Sequence, residues 1–329
     1  MPIATSAPTR IDLAGGTIDI WPLYLFHDGA QTLNAAISLR ARARIDVRTD
    51  DRVVLRSEDT GRVVDVASWR DLRNSQELRL LAQLACFFEA RGLTLTTSSD
   101  SPAGAGIAGS SALNVAVCAA FAEWRQTHYE PEALLQIAMN VEAQTIGVPT
   151  GLQDYRPALY GGMAALELGV DGITRVPLNV DLSALRERIV LCYTGEPHNS
   201  GTNNWDITKR HIDGDRHVFD CFERIRDTAA VMREALTRGD WDKVSQAIDT
   251  EWNNRKRLAP GVTTPAIEDL IARARQAGAT AAKVCGAGGG GCLFSFGPPH
   301  LRGHIEAALT AGGARVLDYT FEADGLTRG

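Results

Sequence analysis

The sequence predicts a two-domain protein of mixed strand and helix content, and three features carry that prediction. Residues 31–66 alternate apolar and polar side chains, as in Ala41-Arg-Ala-Arg-Ile-Asp-Val-Arg and Arg52-Val-Val-Leu-Arg, the pattern of antiparallel strands with one face in water. Helical stretches are set apart from those strands, at 75–91, 131–146, 216–237, 240–256 and 264–278. The texture changes near Leu185, and 329 residues are enough for two cores, which divides the chain into 1–180 and 181–329.

Residues 3–13 read as a strand running into a turn at Ala14-Gly15-Gly16-Thr17, beside which Asp19 projects. A carboxylate at that place can accept two hydrogen bonds from a small polyol, and an Asx-turn or a helix cap explains it equally well. Arg40, Arg42 and Arg44 read as a solvated strand face, with Arg40 a secondary candidate for holding a substrate anion. The strand at 94–99 feeds Pro102-Ala-Gly104-Ala-Gly106-Ile-Ala-Gly109-Ser-Ser111, and a small, apolar run then reads as a helix to about Gln126. The three glycines let an anion come close, while the bare N–H groups and dipole of a helix start converge on it. That combination suits a di- or triphosphate; the bland alternative is a glycine loop capped by serine.

Two familiar phosphate loops are excluded. Ser110 stands where a Walker loop needs lysine. Residues 104–109 fit Gly-x-Gly-x-x-Gly, but the segment before them is polar at alternate positions, and the acid at the right distance, Glu123, lies inside the helix. A dinucleotide site needs a buried strand before the loop and an acid at the end of the next strand.

Pro131 opens a helix and Gly147 stops it, with Glu142 in the last turn, where a carboxylate opposes the helix dipole and needs a cation. Gly147-Val-Pro-Thr-Gly151-Leu-Gln-Asp154 delivers a second acid. Near a phosphate loop, one acid would hold Mg²⁺ and the other would orient or deprotonate an attacking hydroxyl. Without that loop they would read as a surface acid and a turn acid. Beyond Leu185 the expectations are a buried strand at Arg188-Ile-Val-Leu-Cys-Tyr and a polar loop from His198 to Trp205. After the long helices come a strand at 280–285, Gly286-Ala-Gly-Gly-Gly-Gly291, a strand at 292–296, a helix at 299–312 and a strand at 314–321. So many glycines between two strands imply close backbone approach to a ligand, with Gly288 and Gly289 as the candidates.

A net charge of −6 argues against general nucleic-acid or anionic-membrane binding. There is no run of ~20 apolar residues and no signal-peptide layout. The six cysteines are scattered, with no CxxC pair, so neither a zinc site nor a disulfide framework is indicated. The chain reads as cytoplasmic, with a homodimer as an allowed assembly.

Three stretches, Pro8-Thr-Arg10 through Asp19, Pro102 to Ala112, and Lys283 to Gly291, resemble in order and spacing the motifs of the GHMP small-molecule kinases. Glu142 to Asp154 is similar to the sugar 1-kinase version. Trp252-Asn-Asn-Arg-Lys-Arg-Leu-Ala-Pro-Gly-Val is similar to the C-terminal half of the D-glycero-D-manno-heptose 7-phosphate 1-kinases. The chain departs from those heptose kinases at Thr17-Ile18, where they carry an extra glycine, and at Ala108-Gly109 in place of Gly-Ser. The resemblance implies the α+β, two-domain GHMP kinase fold: a ribosomal-protein-S5-like N-terminal domain that binds ATP and a ferredoxin-like C-terminal domain, with the site between them. It implies that Ser110 and Glu142 ligate Mg²⁺ and that Asp154 is the catalytic base or orienting acid. Arg10 would be the basic residue beside that acid. Pro102, Gly104, Ala105, Gly106, Ile107, Ala108, Gly109, Ser110 and Ser111 would hold ATP, while Gly16, Thr17, Asp19, Gly288 and Gly289 would meet a sugar or sugar phosphate. The implied reaction is transfer of the γ-phosphate to a sugar hydroxyl, the anomeric one of a heptose 7-phosphate or related sugar. Fucose, galactose, uronic acid, mevalonate or homoserine as acceptors, or a non-catalytic sugar sensor, are the alternatives.

Overall fold

A computed structural model describes residues 2–197 and 200–329, the side chains of 200–203 excepted. The strands are β1 (Ile3–Ala14), β2 (Gln31–Val47), β3 (Val53–Ser57), β4 (Arg62–Val66), β5 (Leu93–Ser99), β6 (Met163–Gly169), β7 (Gly172–Pro177), β8 (Ile189–Tyr193), β9 (Ala281–Val284), β10 (Cys292–Phe296), β11 (Arg315–Val316) and β12 (Thr327–Arg328). The helices are α1 (Arg79–Phe87), α2 (Gly109–Trp124), α3 (Pro131–Ile146), α4 (Tyr155–Tyr160), α5 (Leu182–Arg188), α6 (Ser200–Ile212), α7 (Arg216–Arg238), α8 (Trp241–Arg255), α9 (Pro265–Gln276) and α10 (Arg302–Ala311).

One sheet runs β12-β1-β2-β5-β3-β4, with β6 also on β2 and β7 beyond it; a second sheet runs β11-β8-β10-β9. Every pairing is antiparallel except β3 with β5, so this is an α+β protein. The alternation at 41–45 puts Ala41, Ala43 and Ile45 inward and leaves Arg42 and Arg44 exposed, as a half-wet strand requires. The first core packs that inward face against α2, whose small side chains let it sit buried over nearly its whole circumference. α3 has Pro131 in its first turn and ends at Gly147 with φ +76°, which only a residue without Cβ adopts cheaply. α7 starts where Asp215 accepts from the His217 and Val218 N–H groups. It packs on β2, and α8 packs on β1, which joins the two sheets' territories.

The structure departs from the sequence expectations in four places. The His198–Trp205 stretch, whose first two residues lie outside the described ones, is helical from Ser200 onward, because α6 seats Ile207, Thr208 and His211 inward. The strand expected at 314–321 is paired only at Arg315–Val316. The chain's end instead returns to the first sheet as β12. Arg40 holds that return in place. Its Nε donates to Ser6 Oγ (2.9 Å) and its Nη2 to the Gly325 carbonyl (2.6 Å), while Nη1 pairs with Glu322 (3.1 Å). Arg40 is therefore a clamp rather than a solvated residue or an anion holder. Finally, β6 and β7 form an antiparallel hairpin that closes at Gly169 and Gly172.

Candidate active site

The loop after β5 and the start of α2 form one wall of a cleft of about 430 Å³. Arg10, Thr17, Asp19, Glu142 and Asp154 line it with Pro102–Gly106 and Ala108–Ser111, together with Gly286 and Ala287 from the glycine-rich loop. No side chain caps α2, so its first N–H groups remain available to an anion. The turn into α2 places Ala108 at φ +63°, a left-handed conformation that costs a residue with a Cβ roughly 1–2 kcal/mol. This is the position where the resemblance expects glycine, so the loop carries local strain beside the site. Ile107 is fully buried and contributes its carbonyl to the Arg10 N–H (3.0 Å) rather than lining the cleft.

The second glycine loop fixes the first. A Cβ on Gly286 would lie 2.8 Å from the Gly106 carbonyl oxygen, and the Cys292 N–H donates to the Ala105 carbonyl (2.7 Å). Gly288 and Gly289 do not line the cleft; both sit against Val262, whose carbonyl accepts from the Gly289 N–H (2.8 Å). Gly16 likewise lies away from it, with its missing Cβ making room for the Arg255 guanidinium at 2.2 Å.

Glu142 is buried and accepts from Ser110 Oγ (2.6 Å), Ser111 Oγ (3.0 Å) and Tyr155 Oη (2.7 Å). Burial pushes its carboxyl above the ordinary range, and the three hydroxyls only partly oppose that. Its partners are hydroxyls and not cations. Ser110 and Glu142 thus present hard oxygen donors side by side, a set that fits Mg²⁺ with water and phosphate oxygens in the other positions. Among the described residues no cluster of three or more His, Cys, Asp or Glu could form an all-protein cage.

Asp154, partly exposed, meets the buried Arg10, whose Nε (3.0 Å) and Nη2 (2.5 Å) both donate to Oδ1. The remaining Nη1 donates to the Gly106 carbonyl (2.9 Å), so Arg10 ties the acid to the glycine loop before α2. Burial works against the Arg10 charge, but Asp154 and Asp12 outweigh it and raise its pKa. Across the cleft, Asp19 is fully buried. Its Oδ2 accepts the Gln153 N–H (2.8 Å), while Oδ1 has no hydrogen-bond partner among the described residues. An Ile20–Gly151 bridge brings those two loops together, and a Cβ on Gly151 would fall 2.5 Å from Asp19 Oδ2. Burial first, and then the neighbouring Asp154, push the Asp19 pKa up to about 6.

Behind the cleft lies an ion cluster to which the sequence reading gave no role. Asp12, Glu251, Arg255 and Lys283 are all essentially inaccessible to solvent. Lys283 reaches Asp12 and Glu251 (3.2 Å each), and Arg255 reaches Glu251 (2.7 Å) and Asp12 (3.4 Å). Arg255 also donates to the Gly286 carbonyl (2.8 Å), and the Gly286 N–H donates to Asp12 (3.0 Å). The cluster therefore fastens β1 and its turn to α8 and the glycine-rich loop. The signal was a lysine inside Ala281-Ala-Lys-Val and an aspartate inside an apolar strand, each of which requires a buried partner.

Models of the GHMP kinases' N-terminal and C-terminal domains match residues 76–162 and 232–315. The chain is 30% identical over 334 residues to a D-glycero-α-D-manno-heptose 7-phosphate kinase of Campylobacter jejuni, covering 98% of each chain. It is 25% identical over 361 residues to an L-fucokinase/L-fucose-1-P guanylyltransferase of Bacteroides fragilis, covering 97% of this chain and 38% of that protein. Its fold matches a crystal structure of a D-glycero-D-manno-heptose 1-phosphate kinase from Bacteroides thetaiotaomicron with a TM-score of 0.81, at 24% identity, over 99% of this chain and 98% of the other. A glycine loop on an uncapped helix, an acid tied to an arginine and these matches along the whole chain have one common explanation: the protein is a member of the GHMP kinase family.

Proposed function

We propose that the protein is a cytoplasmic, ATP- and Mg²⁺-dependent sugar kinase that phosphorylates the anomeric hydroxyl of its acceptor. The observation that supports this best is the Arg10–Asp154 pair, set between the phosphate loop and the unpartnered oxygen of Asp19. In this reading residues 1–180 carry the nucleotide and 181–329 close the site from the other side. The loop amides at the start of α2 receive the ATP phosphates, with Ser110 and Glu142 as the protein ligands of Mg²⁺. Mg²⁺, when bound, supplies neutralisation of phosphate charge. Asp154 orients the acceptor hydroxyl and takes its proton as the new O–P bond forms and the bond between β-phosphate oxygen and γ-phosphorus breaks, releasing ADP. Arg10 meets the charge that develops beside it. The relatives' names offer two acceptor chemistries: a heptose that already carries a phosphate, and L-fucose, which carries none.

ADP release with Mg-ATP across free hexoses, deoxysugars, uronic acids and heptose 7-phosphate tests this reading. Sugar-dependent release is expected, it should stop when a chelator removes divalent cation, and phosphorus NMR should place the new phosphate on position 1. Release that depends on no sugar in the panel rejects the proposal.

Asp19 adds a pH signature. Its pKa rises from 3.8 to about 6 on folding, so the native state keeps the proton longer and its stability declines as pH climbs across that window. Only the charged carboxylate offers every lone pair to acceptor hydroxyls. The KM for the sugar should therefore fall as pH rises through about 6 and level off above it, and Asp19→Asn should flatten that limb at a weaker value. A wild-type KM that does not change across the window removes Asp19 from the acceptor site.

A further inference from the structure

The sugar-kinase reading leaves the charge of the acceptor open, and the cleft supplies it. Asp19, Asp59, Glu142 and Asp154 line the cleft, against one Lys or Arg among the described residues, Arg10. Arg10 is already committed to Asp154 and to the Gly106 carbonyl. The other nearby cations are committed as well. Arg255, which also donates to the cleft residue Thr17 (3.4 Å), and Lys283 are buried and paired with Asp12 and Glu251, Arg156 pairs with Glu132 (2.6 Å), and Arg40 clamps the chain's end. Residues 198–203, whose side chains lie outside the described ones, are His-Asn-Ser-Gly-Thr-Asn and contain neither lysine nor arginine. ATP brings its own phosphates into the same cleft and takes up the loop amides there.

The unmet polar atoms say what the rest of the cleft wants. Asp19 Oδ1, Gln153 Oε1 and Asn204 Oδ1 are buried, lack any partner among the described residues and belong to cleft residues. All three are acceptors, and they call for O–H donors. An amide can turn its NH₂ end inward, but a carboxylate has no donor to offer. A phosphomonoester brings about −1.5 to −2 charges and strong acceptor oxygens, so beside Asp19 it meets repulsion and no new hydrogen bond. A neutral polyol brings donors and no charge.

We infer that the acceptor is an uncharged sugar bearing neither phosphate nor carboxylate, so that this chain differs in acceptor charge from its heptose 7-phosphate kinase relative. Matched acceptors test it: D-glycero-D-manno-heptose with its 7-phosphate, mannose with mannose 6-phosphate, and fucose and galactose with galacturonate, compared by kcat/KM with Mg-ATP. The neutral member should win each comparison by roughly 10²-fold, the scale of an unpaired like-charge contact. A phosphate or uronate turned over as well as, or better than, its neutral counterpart overturns the inference and leaves the kinase standing. Silence on every sugar overturns the kinase reading and takes this inference with it.

Discussion

Asp154→Asn is expected to lower kcat by about 10²–10⁴ while Mg-ATP binds within about twofold of the wild-type affinity. The substitution keeps the shape of the side chain, and its amide oxygen can still accept from Arg10, which now donates twice to Oδ1 at 3.0 and 2.5 Å. What it loses is the basic lone pair that, in the proposed mechanism, takes the acceptor's proton. The hydrogen bonds that hold the proposed nucleotide side of the site do not run through Asp154. Glu142 and Ser110 are held by each other and by Tyr155, and the glycine loop before α2 is held by Arg10 Nη1 and by the Cys292 N–H. Asp154 itself provides no side-chain cap to α4, so the helix has no reason to fray. Single-turnover rates and calorimetric titration with a non-hydrolysable ATP analogue separate the two effects. A variant that retains wild-type kcat would show that Asp154 neither orients nor deprotonates the hydroxyl.

Much of the fold could be read from local pattern. Pro131 and Gly147 bracket α3 because each acts through its own backbone, and the Ala-Arg alternation of β2 shows in the sequence because strand faces alternate residue by residue. The β6–β7 hairpin had a legible sign, Asp171-Gly172 between apolar runs, and went unread. α6 was harder. Its inward residues, Ile207, Thr208 and His211, follow the polar stretch, and His211 is buried against His27 (2.9 Å), a contact no local pattern announces. The site divides along the same line. The glycine loop before α2, Glu142 and Asp154 stand out by residue type and spacing, whereas the placing of Gly286 and Ala287, and not Gly288 and Gly289, along the cleft depends on how the second loop docks against the first. Gln153, Asn204 and Arg255 become visible only when segments distant in sequence meet.

The buried ion cluster gives the largest stability prediction. Asp12→Ala should destabilise the fold by about 3–5 kcal/mol, a large part of what a protein has to lose. Asp12 is fully buried and faces Lys283 at 3.2 Å, Arg255 at 3.4 Å and Arg10 at 3.5 Å, and it also accepts from the Gly286 N–H. Removing it leaves Lys283 and Arg255 to share Glu251, with no water to replace the lost carboxylate. Burial alone would raise the Asp12 pKa, but Lys283, Arg10 and Arg255 outweigh it and bring it down from 3.8 to about 2. Its contribution is therefore present above the unfolded value and lost as pH falls toward the folded one, so the variant should also lose part of the wild type's acid sensitivity in that window. Asp12→Asn keeps an acceptor for Gly286 and should fall between the two. Removing Asp65, whose pair with Arg52 at 2.8 Å is exposed, should leave the unfolding midpoint where it was. Urea unfolding followed by tryptophan fluorescence, with the buried Trp252 on α8 as the local reporter, measures all three. Equal midpoints for Asp12→Ala and the wild type would mean that the cluster is an expense the fold could do without. A selective loss for Asp12→Ala would instead make it the fastening that holds β1, and with it Arg10 and Asp19, against the C-terminal half of the site.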